Sequence, residues 1–292
     1  MTKASPDPYG RRIHPAPAMH AIATSQPIRA REMCTVACYT AKTGGTGWKG
    51  RIDRRVECDR AVLPVPSIPP FLPHMKPLTI AIDGPSGAGK GTVARAIAAG
   101  LGYRHVDSGA MYRAVGWKAL GEGVPLDQDD AVAALARAAR IDVTAAAVTI
   151  DGVDVTRAIR TPEIDRAAAA VARLPKVRAV LVERQRQVGA DGGIVMEGRD
   201  IGTVVFPRAD VKIYLDATPE ERARRRASDP SHSGGPSAVS DVATLLTERD
   251  RLDRTRAASP LYAADDAVVV DTTGKSVDEV VREVLEVVRA RM

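Results

Sequence analysis

The sequence predicts an α/β fold: a five-stranded parallel sheet flanked by helices, with a small antiparallel insertion and an arginine-rich lid. Three observations carry this. From Met75 onward, short apolar runs alternate with helical stretches, the pattern of parallel strands joined by crossover helices. One such run, "LTIAID", leads directly into a glycine-rich turn and a helix start. Around residues 141–156 the pattern changes to alternation about a turn, which a parallel strand does not show.

Taken in order, "LTIAID" is the first strand and "GTVARAIAAGLG" a helix closed by Gly102. "RHVDSG" reads as a short strand ending in a polar turn, followed by the helix "AMYRAVGWKALGEG" and another, "DDAVAALARAAR". "IDVTAAAVTIDGVDVT" carries "IDGV", a hairpin turn signal, and marks the antiparallel insertion, which with its flanks covers about 131–162. Helices resume from Glu163 to Gly189 with a break at Pro175. "GIVMEGRD", "DVKIYLDA" and "AVVVDTT" supply the remaining strands. The last helix, "SVDEVVREVLEVVRARM", opens on a capping box of Ser276 and Glu279. Its Val277, Val280, Val281, Val284, Leu285 and Val288 form one apolar stripe.

Residues 1–74 differ in kind. They hold ten of the twenty prolines, all three cysteines, and 11 Lys+Arg against 5 Asp+Glu. The net charge of +6 therefore sits wholly in this arm, and residues 75–292 are neutral. The arm has no sustained period and is read as a disordered, basic, proline-rich extension. Either it is translated, or the protein begins at Met75; both readings stay open. The odd cysteine count is a poor disulfide framework, and a reducing, cytoplasmic home is expected. No apolar run reaches the ~18 residues a membrane helix needs. An aromatic fraction of 3% argues against nucleic-acid binding through stacked bases.

The chemistry begins with Gly84, Pro85, Ser86, Gly87, Ala88, Gly89 and Lys90, a G-x-x-x-x-G-K loop between strand and helix. Such a loop turns its backbone N–H groups onto phosphate oxygens, the helix N-terminus adds positive potential, and the lysine reaches the β- and γ-phosphates. Ser or Thr usually follows that lysine. Here Gly91 follows, then Thr92. "GKGT" is similar to the loop of nucleoside monophosphate kinases, and no guanine-reading N/T-K-x-D is present.

Three more clusters concern the acceptor. "DSGAMYR" feeds a helix N-terminus and places Arg113 within reach of a phosphate. "EGRDIGTVVFP" sets Glu197, Arg199 and Asp200 at the end of a strand, where open α/β sheets bind ligands. "EERARRR" and "TERDRLDRTR", separated by the Ser/Gly/Pro-rich "SDPSHSGGPSAVS", read as a hinged, charged lid over about 222–256. A solvated helical face with i,i+4 ion pairs would explain only some of these arginines.

The ordered set "DGPSGAGKGT", "DSGAMYR", "EIDRAAAAVARLPKVR", "EGRDIGTVVFP", "VKIYLDA" and "ERDRLDRTR" resembles bacterial-type cytidylate kinase over nearly all of residues 76–292. The resemblance implies the sheet of the P-loop kinases. It implies phosphoryl transfer from ATP to CMP or dCMP, with Mg2+. It places ATP on Gly84 through Thr92. Ser108, Arg113, Arg199 and Arg256 would hold the acceptor phosphate, Arg178 and Asp200 the cytosine, and Arg249 and Asp253 the sugar. Lys90, Arg199 and the lid arginines Arg222, Arg225 and Arg226 would act on the transferred group. No residue is expected to ligate the metal directly; Thr92, Asp83 and Glu197 are candidates for its outer shell. The family commonly has a serine where this chain has Ala169, which throws more weight on Arg178 and Asp200. A cytoplasmic monomer with no membrane or nucleic-acid partner is expected. A related kinase for UMP or another small acceptor, or a non-catalytic nucleotide- or RNA-binding module, are the alternatives.

Overall fold

The computed structural model describes residues 77–229 and 239–292. The expectation for residues 1–74 lies outside these, as does most of the Ser/Gly/Pro-rich tract. Five strands form one sheet: β1 (Thr79–Asp83), β2 (Arg104–Asp107), β6 (Ile194–Gly198), β7 (Val211–Asp216) and β8 (Val268–Asp271). Their order is β2-β6-β1-β7-β8, and every pairing is parallel. The register aligns Asp83 with Gly198 and Asp107 with Glu197, so the polar strand ends share the carboxyl edge of the sheet. That edge is where such a sheet presents a ligand site.

Alternation along β1 decides the two faces. Ile80 and Ile82 pack with Ile97 of α1 (Lys90–Leu101) and Val284 of α8 (Val277–Arg289). Ala81 packs with Val106, Met196 and Ile201 on the other face. Being apolar on both sides is what made these strands legible as continuous runs. A further cluster joins α2 (Ser108–Gly121), α3 (Asp129–Ala138), α4 (Pro162–Val171) and α5 (Pro175–Val188), through Val115, Val132, Val171 and Leu181.

The insertion is a three-stranded antiparallel sheet of β3 (Ile141–Val143), β4 (Val148–Ile150) and β5 (Val153–Asp154). Asp151 and Gly152 both take positive φ, 52° and 82°, as the tight hairpin turn between β4 and β5 requires. Thr161 caps α4 by accepting from the Ile164 amide, with Pro162 in the first turn. The capping box of α8 forms as the sequence predicts, and its stripe is buried except at Val277, which is 48% exposed. The arginine-rich segment folds as α6 (Pro219–Ala227) and α7 (Val239–Thr255), packed on each other. A single π-helical turn at Ile201–Val205 has no counterpart in the sequence reading.

Candidate active site

A cleft of about 1200 Å³ opens along the carboxyl edge, and Ser86 through Thr92 line one end of it. The loop that delivers them must turn sharply after β1. Gly84 has φ 145°, and a Cβ there would lie 2.0 Å from the Leu215 carbonyl oxygen, so the position admits only glycine. Gly84 and Pro85 hold the turn from behind rather than line the cleft. The Pro85 carbonyl accepts from Lys90 Nζ at 2.7 Å, which folds the lysine back over the loop. Lys90 is 7% exposed. Burial and the neighbouring Arg199 push its ammonium down to about 7.

Glu197 and Thr92 line the cleft beside this loop. His105 Nε2 lies 3.1 Å from Glu197 Oε1, and the Ser108 hydroxyl donates to the Glu197 carbonyl at 2.7 Å. Asp83, the third candidate for an outer-shell role, sits beneath the cleft. Its two carboxylate oxygens accept the amides of Ile201 and Gly202 at 2.8 and 2.7 Å, and it is absent from the cleft wall. Those two bonds start the π-helical turn. Burial pushes the Asp83 carboxyl up to about 6. Among the described residues no group of three or more His, Cys, Asp or Glu side chains could hold a metal ion.

The other end of the cleft is built from distant segments. Asp107 caps α2 by accepting from the Ala110 amide at 3.0 Å, which sets Ser108 and Arg113 on the cleft wall. Arg178 of α5 donates to Asp200, to the Ser259 hydroxyl at 3.3 Å and to the Ala172 carbonyl at 3.3 Å. It also lies over the Tyr112 ring, 5.6 Å from its centre. Arg256 stands 3.7 Å from Asp200 and donates to the Ser259 carbonyl at 2.5 Å. Arg199 donates to Asp253 at 3.0 Å. Ala169 lines this end as well. The structure thus gathers Ser108, Arg113, Arg178, Arg199, Asp200, Arg249, Asp253 and Arg256 on one cleft. Tyr112, Ser259 and Arg160, whose Nη2 donates to Asp107 at 3.4 Å, were not among the expected residues. Tyr112 was legible as the aromatic residue preceding Arg113; the other two carry no local signal.

This end is rich in cation. Arg249 is largely buried, with 21% of its side chain exposed, and that burial with Arg199 and Arg113 close by pushes its guanidinium down to about 10. Its Nε is buried with no hydrogen-bond partner. A buried donor in that condition needs an acceptor, which a ligand in the cleft could supply.

The lid arginines divide. Arg225 and Arg226 line the cleft. Arg225 donates to Glu221 at 2.7 Å and to the Thr272 hydroxyl at 2.9 Å. Arg222 does not line the cleft, contrary to the expectation that it closes over the nucleotide. Its guanidinium is buried behind the glycine loop, donating to Ala217 O at 3.0 Å, Ser86 O at 3.2 Å and Asp250 at 2.5 Å. Its place in the first turn of α6, beside the loop, turns it inward.

Comparison with known proteins agrees with this geometry. Residues 80–290 match the family model described as cytidylate kinase. A cytidylate kinase of Desulfitobacterium hafniense (strain Y51) is 49% identical over 213 residues, covering 72% of this chain and 92% of the relative. That of Solibacter usitatus (strain Ellin6076) is 47% identical over 219 residues, covering 74% and 94%. One from Geobacillus sp. (strain WCH70) is 43% identical over 219 residues, covering 74% and 98%. A match to the family model over most of the described residues, with relatives this similar along almost their whole length, means that the chain belongs to the cytidylate kinase family.

Proposed function

We propose that the protein transfers a phosphoryl group from ATP to CMP or dCMP, giving ADP and CDP or dCDP. The observation that carries this reading is a single cleft with a phosphate-cradling loop at one end and the buried Arg178–Asp200 pair at the other. Ser86 through Thr92 hold the donor phosphates through backbone amides, and Lys90 leaves the Pro85 carbonyl for the β- and γ-oxygens. Arg113, Arg199 and Arg256, with Ser108, hold the acceptor phosphate, while Arg249 and Asp253 take the sugar. Asp200 accepts from the cytosine N4 amino group, and Arg178 donates to N3 and O2. Uracil inverts the pattern at N3 and C4, so the pair discriminates against UMP. The attacking atom is a phosphate oxygen already ionised near neutral pH, so no general base is needed. Arg225 and Arg226 offset charge on the transferred group and exclude water as they close. Arg222 acts behind the loop, holding Ser86 in place. Mg2+ bound with ATP supplies charge neutralisation at the phosphates. No helix among the described residues is long and apolar enough to cross a membrane. We read the protein as a cytoplasmic monomer with small-molecule substrates.

A coupled assay of ADP release across CMP, dCMP, UMP, AMP and GMP tests the reading. CMP and dCMP should exceed UMP at least about tenfold in kcat/KM. Asp200→Asn should raise KM for CMP by about 10- to 100-fold, the worth of one charge-assisted bond, and leave KM for ATP unchanged. Equal turnover of UMP, or a change confined to ATP, overturns the base assignment.

A further inference from the structure

Asp165 stands on α4, in the stretch "EIDRAAAAVARLPKVR", where the sequence reading gave it no role, and it gathers arginines from three separate elements. Its Oδ1 accepts from Arg113 Nε of α2 at 3.0 Å. Its Oδ2 accepts from Arg226 Nη2 of α6 at 2.5 Å. Arg249 Nη1 of α7 lies 3.7 Å from Oδ1. All four side chains are largely buried, between 11% and 21% exposed. Both helices of the arginine-rich segment are therefore tied, together with the acceptor helix α2, to one carboxylate.

The arrangement is more than a surface ion pair. Arg113, Arg226 and Arg249 all line the cleft, whereas Asp165 is behind them. Arg249 keeps its buried Nε without a hydrogen-bond partner. Arg226 also faces Asp229 at 3.9 Å, and Arg113 faces Asp107 at 3.9 Å. Asp165 holds the three in one group. Without it, three guanidinium groups with Arg199 nearby would repel one another in a site shielded from water.

We infer that Asp165 is a positioning residue that fixes Arg226 and Arg249 against Arg113, so that Arg113 meets the acceptor's phosphate, Arg249 its sugar and Arg226 the transferred group. The inference rests on reading the cleft as a site of phosphoryl transfer to a nucleoside monophosphate. One anion behind the arginines sets their geometry, and the substrates meet them in front. Bidentate and charge-assisted donors are sensitive to such placement, since their strength depends on alignment.

The test is steady-state kinetics of the full chain with ATP and CMP, comparing wild type with Asp165→Asn, which keeps shape and removes charge. Turnover of CMP by the wild type tests the underlying reading by itself. Given that turnover, KM for CMP should rise at least about tenfold in the variant, with kcat reduced and KM for ATP within twofold. Asp165→Glu should restore part of the loss, because it keeps the charge. Calorimetric titration with CMP alone should show the same weakening without ATP. An unchanged KM for CMP in a folded variant overturns the inference. So does a fall in KM, which would make the carboxylate a competitor of the phosphate. If Asp165→Asn does not fold, Asp165→Ser carries the same expectation; loss of folding in both assigns the residue to stability and also overturns the inference.

Discussion

The carboxylate of Glu197 occupies the space that a side chain on residue 91 would need: a Cβ built on Gly91 would stand 3.0 Å from Glu197 Oε1 and 3.5 Å from Oε2. Gly91 is the second residue of α1 and has ordinary helical backbone, so its glycine is not there for conformational freedom. It is there for room. Where a hydroxyl commonly follows the loop lysine, this chain has none, and a carboxylate held by His105 reaches in from β6.

Gly91→Ser tests this substitution of one group by another. A serine would gain helix propensity, worth a few tenths of a kcal/mol, so the fold should tolerate it and the melting temperature should move by only a few degrees. Glu197 would have to shift by some tenths of an ångström, away from His105 or from the cleft. The expected outcome is a kcat at least about tenfold lower, since small displacements at a transfer site are costly to rate. Thermal melting and kcat measured on the same preparation check both halves. An unchanged kcat would remove Glu197 from the working site.

Lys90 gives a pH signature. In the ligand-free protein its ammonium titrates near 7, held down by burial and Arg199, so at about pH 8.5 it is largely neutral. A bound triphosphate brings several negative charges beside it and raises that value again. Binding of ATP should therefore take up a proton: close to one per ATP at about pH 8.5, little below about pH 6, where the lysine is already charged. Calorimetry in two buffers of different ionisation enthalpy measures the uptake directly. Lys90→Met should abolish it, together with turnover, while CMP binding persists. Equal enthalpies in the two buffers at about pH 8.5 would mean that the lysine does not meet the phosphates.

The strands and the glycine loop were legible in the sequence because each leaves a local trace, whereas the roles of Arg178 and Asp200 came only through the family resemblance. A strand buried on both faces is a continuous apolar run, and a phosphate loop must have glycines at fixed spacing. The π-helical turn left none, because its cause is Asp83, 118 residues before the Ile201 amide it binds. The role of Asp165 was illegible for the same reason: its arginines lie 52 and 61 residues away for the two closest contacts. "EERARRR" announces cations, and the family resemblance set Arg222 on the lid with Arg225 and Arg226. Neither says that the first turn of α6 abuts the glycine loop while the next opens onto the cleft.

Arg222→Lys separates those two turns of α6. The guanidinium holds three oxygens at once, from Ala217, Ser86 and Asp250, and an ammonium on a shorter stem cannot reproduce that fork. Asp250 is 7% exposed, so weakening its partner leaves a buried carboxylate poorly compensated. The melting temperature should fall by several degrees, the response to a loss of about 1–3 kcal/mol. Because Ser86 sits in the phosphate loop, KM for ATP should rise as well, and KM for CMP should stay close to wild type. A direct lid role would give the reverse pattern: unchanged melting and a fall in kcat with ATP affinity preserved. Melting curves and the two KM values, taken together, decide between an arginine that closes over the nucleotide and one that braces the loop from behind.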